Sequence, residues 1–127
     1  MGNWTPAGHI GQMFKVIGKH VSPPPNIPSP LQWGDEATCR QRLGTGVSDL
    51  KITRYMYPFE YPFAPAKVVD VFVQYYGPTI RASSSLNDEG KKALHDELTA
   101  LWTRNNTATD GTTRVPSEYI EVIGTRA

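Results

Sequence analysis

The chain has 127 residues, 39% of them hydrophobic, and thirteen basic against twelve acidic side chains give a formal net charge of +1. That length fits one domain, residues 1–127, near the commonest domain size, and allows a real core without metals or disulfides. The interleaved charges lack the one-sided basic excess of a nucleic-acid or anionic-membrane binder, and no apolar run reaches the length of a membrane span. The single cysteine, Cys39, has no internal partner, and the first residues lack the apolar run of a secretion signal; the expectation is a cytoplasmic protein.

In chain order, Asn3 and Trp4 read as the end of something extended. Thr5 then suits a helix N-cap and Pro6 the first helical position. Ile10, Met13, Phe14, Ile17 and Val21 recur at helical spacing, which predicts an amphipathic helix over about residues 6–20. "SPPPNIPSP" (22–30) ends it and reads as a stiff, extended crossing. Asp35 caps a short helix that stops at Gly44, with Arg40 and Arg42 near its C-terminus.

From Ser48 the pattern turns to strand. Leu50 and Ile52 alternate with polar neighbours, and Tyr55, Tyr57, Phe59 and Tyr61 alternate in the opposite phase, which predicts a bulge or break near Thr53-Arg54. Pro58 argues for an edge strand. Pro65 opens a helix whose apolar face is Val68, Val69, Phe72, Val73 and Tyr76. "PTIRASSSL" reads as a short helix, and Asn87-Asp88 caps a longer one with a stripe of Leu94, Leu98, Leu101 and Trp102. "SEYIEVIGTRA" closes the chain as a strand with apolar residues on both faces, which wants neighbours on both sides.

Chemistry-bearing motifs are sparse. "GTGVSD" (44–49) stands after a helix and before a strand, the wrong order for a phosphate-cradling loop, and reads as a helix stop. His9, His20 and His95 are scattered without a second ligand at metal spacing, and Asp88, Glu89, Asp96 and Glu97 read as a solvated helix face. In "YYGPT" (75–79), Tyr75 and Tyr76 at a helix end are either a core plug or one wall of a ligand pocket, since tyrosine joins an apolar ring to a hydrogen-bonding tip.

The long segment "NWTPAGHIGQMFKVIGKHVSPPPNIPSPLQWGDEATCRQRLG" resembles the segment after the fifth strand in a bacterial group of class I SAM-dependent methyltransferases that includes quinone-biosynthesis-type enzymes. "YYGPT" and "VPSEYIEVIGTRA" are similar to later parts of the same half, in the same order. The resemblance implies derivation from a doubly wound α/β fold in which Asn3-Trp4 ends strand five. Residues 48–61 would hold strand six, and 117–126 an antiparallel strand seven inserted between them. It also implies that the SAM-binding motifs, which belong to the first four strands, are absent, so this chain alone binds no cofactor. Asn3 and Trp4 would fall near the cofactor–substrate cleft, and Tyr75 and Tyr76 would line an acceptor pocket.

Standing alone, such a half is expected to be α+β, with a helical layer on a small, mostly antiparallel sheet. Its core candidates are Trp4, Phe14, Trp33, Phe72, Leu98, Leu101, Trp102, Ile120 and Val122. Two functional expectations arise. One is the acceptor-substrate side of a methyltransferase, a split-enzyme piece or truncated reading frame that works only with a separate SAM-binding subunit. The other is a non-catalytic homodimer that binds a small ligand or assembles through its free sheet edges.

Overall fold

The computed structural model describes residues 1–22 and 26–127, so the reading of Pro23, Pro24 and Pro25 as a stiff crossing lies outside the described residues. The elements are β1 (Gly2–Trp4), α1 (His9–His20), a 3-10 turn (Pro30–Gly34), α2 (Glu36–Leu43), β2 (Val47–Tyr61), α3 (Pro65–Tyr75), α4 (Gly77–Ser84), α5 (Asp88–Asn105) and β3 (Thr113–Arg126). Among the described residues the architecture is α+β: five α-helices on a three-stranded sheet of order β1–β3–β2 in which both pairings are antiparallel. Since β1 and β2 each run against β3, they run parallel to one another.

Helix α1 starts at His9 and not at Pro6. The Thr5 N–H donates to the Glu118 carbonyl and the Thr5 hydroxyl to Glu118 Oε1 (2.7 Å), so Thr5 continues the β1 pairing. Gly8 N–H returns to Thr5 Oγ1, and the helix begins only after that turn. The other starts lie where local chemistry sets them. Asp35 accepts from Thr38 N–H at the head of α2, Asn87 accepts from Gly90 N–H at the head of α5, and Pro65 opens α3.

The expected bulge near Thr53-Arg54 does not exist. Pairing runs unbroken from Asp49↔Thr125 to Tyr61↔Thr113, and the register shift lies between Val47 and Asp49. The hydrophobic phase changes because different faces are covered along the strand. Leu50 and Ile52 pack with Trp33, Cys39, Leu43, Ile120 and Val122 in a small cluster under α2. Phe59 and Tyr61, on the other face, pack into the main core of α1, α3, α4 and α5 with Val115 of β3. Between the two regions, Arg54 pairs with Glu118 at 3.1 Å.

Six of the core candidates are buried: Phe72, Leu98, Leu101, Trp102, Ile120 and Val122. Trp4, Phe14 and Trp33 are half-buried and pack against the cluster margins. The strand at the chain's end starts earlier than the sequence pattern indicated, at Thr113, whose hydroxyl donates to the Phe63 carbonyl.

Candidate functional site

Directly opposed residues of neighbouring strands share a face, as do alternate residues along one strand. The pairings Trp4↔Tyr119, Tyr55↔Tyr119, Tyr57↔Ser117 and Phe59↔Val115 therefore put a row of aromatic rings on one face of the sheet. Trp4 is its centre, with ring centroids 5.4 Å from Phe59, 5.9 Å from Tyr119 and 6.3 Å from Tyr57. Tyr55 stacks on Tyr119 at 5.5 Å. The rings leave an open cleft of about 500 Å³ lined by Gly2, Asn3, Trp4, Tyr57, Phe59 and Tyr119. None of these side chains is charged, and Tyr57 is 51% exposed at the rim. Such a cleft can stack a flat, uncharged ligand.

Trp4 is held by its backbone. Its outward N–H is capped by Asn3 Oδ1 (2.9 Å), while Asn3 Nδ2 donates to the Pro30 carbonyl. Its carbonyl lies so close to Gly34 that a Cβ there would stand 1.8 Å from the oxygen. Thr5, one residue on, is tied to Glu118 as described. The outer edge of β1 is thus occupied at Trp4 by the 3-10 turn, leaving Gly2 as its outward-facing position.

Of the four residues singled out from sequence, Asn3 and Trp4 lie at this cleft and Tyr75 and Tyr76 do not line it. Tyr75 is 73% exposed at the end of α3. The Tyr76 ring packs on Phe72 at 5.2 Å centroid separation, and burial raises its phenol above the ordinary range. Tyr57, Phe59 and Tyr119, which sequence reasoning did not assign to a site, complete the cleft. The alternation in "YMYPFEY" was their visible signal, but it does not say which strand faces them.

Behind the cleft, three buried polar atoms have no hydrogen-bond partner among the described residues: Ser117 Oγ, Trp102 Nε1 and His9 Nε2. The His9 ring sits edge-on to Trp102 at 4.2 Å, and its Nδ1 lies 2.9 Å from Asn105 Nδ2, which assigns Nδ1 as the acceptor and the ring proton to Nε2. Burial, with the Arg104 charge second, lowers its pKa to about 4. His20 pairs with Glu97 and His95 with Asp70, each at 2.7 Å on the surface. Among the described residues, no group of three His, Cys, Asp or Glu side chains could hold a metal ion, and no helix is long and apolar enough to cross a membrane.

The turn "GTGVSD" is spent on its own helix end. Gly44 N–H donates to the Arg40 carbonyl and Gly46 N–H to Leu43, so neither is available to a phosphate or carboxylate. The residues present therefore do not fit a nucleotide-like cofactor at that loop.

No known family model matches the chain. Relatives occur in mycobacteria. Uncharacterized protein Rv1403c of Mycobacterium tuberculosis is 30% identical over 102 residues, which is 78% of this chain and 37% of the relative. Uncharacterized protein Mb1438c of Mycobacterium bovis matches to the same extent. Uncharacterized protein Rv1405c of M. tuberculosis is 33% identical over 87 residues, 68% of this chain and 32% of the relative. The chain thus spans about a third of the length of the relatives it matches.

Proposed function

We propose that this polypeptide is the acceptor-substrate side of a class I SAM-dependent methyltransferase and works with a SAM-binding half that these residues do not supply. The observation that carries the reading is the strand order. In β1–β3–β2, a late antiparallel strand is inserted between two mutually parallel ones. That is the arrangement expected of strands five, seven and six when the first four are removed. The aromatic cleft runs along the whole of β1 and takes Tyr57 and Phe59 from the carboxyl-terminal part of β2, and strand carboxyl ends are where open α/β sheets bind ligands. The relatives, with about two thirds of their length outside the match, have room for such a half.

In that family the methyl group is transferred by in-line displacement at the sulfonium, a reaction governed by positioning. The contribution of this chain would be to bind and orient the acceptor against Trp4, Tyr57, Phe59 and Tyr119. On this reading, holding the sulfonium falls to the other half.

The test is calorimetric. SAM titrated into the chain alone should give no stoichiometric binding. The same titration in the presence of the non-matching part of the M. tuberculosis relative should give binding and a complex of the two polypeptides. Tight one-to-one binding of SAM by the chain alone overturns the reading.

A second reading, a homodimeric small-ligand-binding module, is favoured by the fifteen-residue β2, which among the described residues pairs only on its β3 side and exposes Tyr55, Met56 and Tyr57. A monomeric mass by light scattering at micromolar concentration would remove it.

A further inference from the structure

We infer that Ser117 is the hydrogen-bonding anchor of the aromatic cleft, so that its ligand is a flat, uncharged ring bearing a hydroxyl or carbonyl oxygen that reaches the Ser117 hydroxyl. The inference rests on the reading of the cleft as an acceptor-binding site. Ser117 stands on the cleft face of β3, between Val115 and Tyr119, and directly opposite Tyr57. Two of the six cleft-lining residues therefore flank it. Its residue surface is 0% exposed, and Oγ finds no partner among the described residues.

A buried hydroxyl without a partner is costly, and alanine or valine would suit an apolar strand position better. The Ser117 hydroxyl donates and accepts, so it serves a phenol or a carbonyl equally. The six residues around the cleft offer stacking surface and no charge, which leaves an uncharged ring as the matching body. Ser117 is buried and does not itself line the open cleft, so Tyr57, half exposed and directly opposite it, must turn aside to admit the ligand's oxygen. The two other orphaned donors, His9 Nε2 and Trp102 Nε1, lie farther back, with Phe59 between Trp102 and Trp4.

The experiment compares p-cresol with toluene, two rings of similar size that differ in the hydroxyl, titrated into the full chain. Binding is followed by the indole N–H resonance of Trp4, assigned with Trp4→Phe. In the parent chain both probes should shift that resonance. Ser117→Ala should leave toluene binding unchanged and weaken p-cresol about fivefold, in line with one hydrogen bond. Because the substitution removes an unpaired hydroxyl, it should also raise Tm. If both probes bind and Ser117→Ala leaves their ratio of dissociation constants unchanged, the anchor role is wrong and the cleft reading stands. If Ser117→Ala lowers Tm without altering that ratio, the hydroxyl serves the fold and the inference fails. If neither probe moves the Trp4 resonance, the cleft itself is not a ligand site and both readings fall.

Discussion

At the scale of single residues, two glycines behave oppositely for reasons that spacing cannot reveal. At Gly34 a Cβ would stand 1.8 Å from the Trp4 carbonyl oxygen, whereas at Gly18, exposed in α1, it would meet nothing within 4 Å. Gly34→Ala must push the 3-10 turn off β1, and a loss of about 2–4 kcal/mol is expected, as for other steric insertions at tight contacts. Gly18→Ala should instead stabilise by about 0.5–1 kcal/mol through helix propensity. Urea denaturation of the two variants beside the parent chain checks the pair, and equal effects would refute it. His9 carries a second prediction. Its pKa falls from 6.5 to about 4 on folding, chiefly by burial. Between those values the unfolded chain binds a proton that the folded chain refuses, so stability falls as pH falls through this window. The loss should be on the order of 3 kcal/mol. The difference between the parent chain and His9→Gln in stability against pH isolates it from the carboxylates, and a flat difference curve would show that the ring charges without penalty.

At the scale of elements, what could be read from sequence was what depends on neighbours in the chain. The caps at Asp35 and Asn87, the start at Pro65 and the stripe Leu94–Leu98–Leu101–Trp102 are local chemistry, and the structure has each of them. The start of α1 escaped because Thr5 has a competing partner 113 residues away. The continuity of β2 escaped because a change of phase can mean a bulge or a change of cover, and only the placement of α2 decides between them. The tether between Thr5 and Glu118 is thus the contact that turns β1 into α1. Thr5→Val keeps the shape and deletes the hydroxyl that donates to Glu118 Oε1 and accepts from Gly8 N–H. A loss of about 1–2 kcal/mol is expected, with Thr5→Ser close to the parent chain. Two hydroxyl-free and hydroxyl-bearing variants of equal stability would mean that the tether contributes nothing.

At the scale of the whole molecule, both long strands reach both hydrophobic clusters: β2 gives Phe59 and Tyr61 to the large core and Leu50 and Ile52 to the small one. β3 supplies Val115 to the large core and Ile120 and Val122 to the small one, and among the described residues it is the only strand paired on both sides. The candidate cleft reaches the same strand at Tyr119, with Ser117 buried behind it. Two of its six lining residues, Asn3 and Trp4, could be singled out from their place in the chain order; the remaining rings come together only once the register brings β2 and β3 side by side. This central strand also predicts how the chain unfolds. Loss of the small cluster would strip Ile120 and Val122 of cover and disturb the β2 pairing that positions Phe59 and Tyr61 in the main core. The two clusters should therefore melt together in one cooperative transition. Trp33 reports on the small cluster and Trp102 on the large one. In a chain carrying Trp4→Phe and Trp102→Phe, the fluorescence of Trp33 should lose its native signal at the same urea concentration as the far-ultraviolet circular dichroism of that chain. The companion chain with Trp4→Phe and Trp33→Phe should show the same coincidence through Trp102. If the Trp33 signal is lost well before the helices in the first chain, α2 and the 3-10 turn form a separate, weaker unit, and β3 does not couple the two sides.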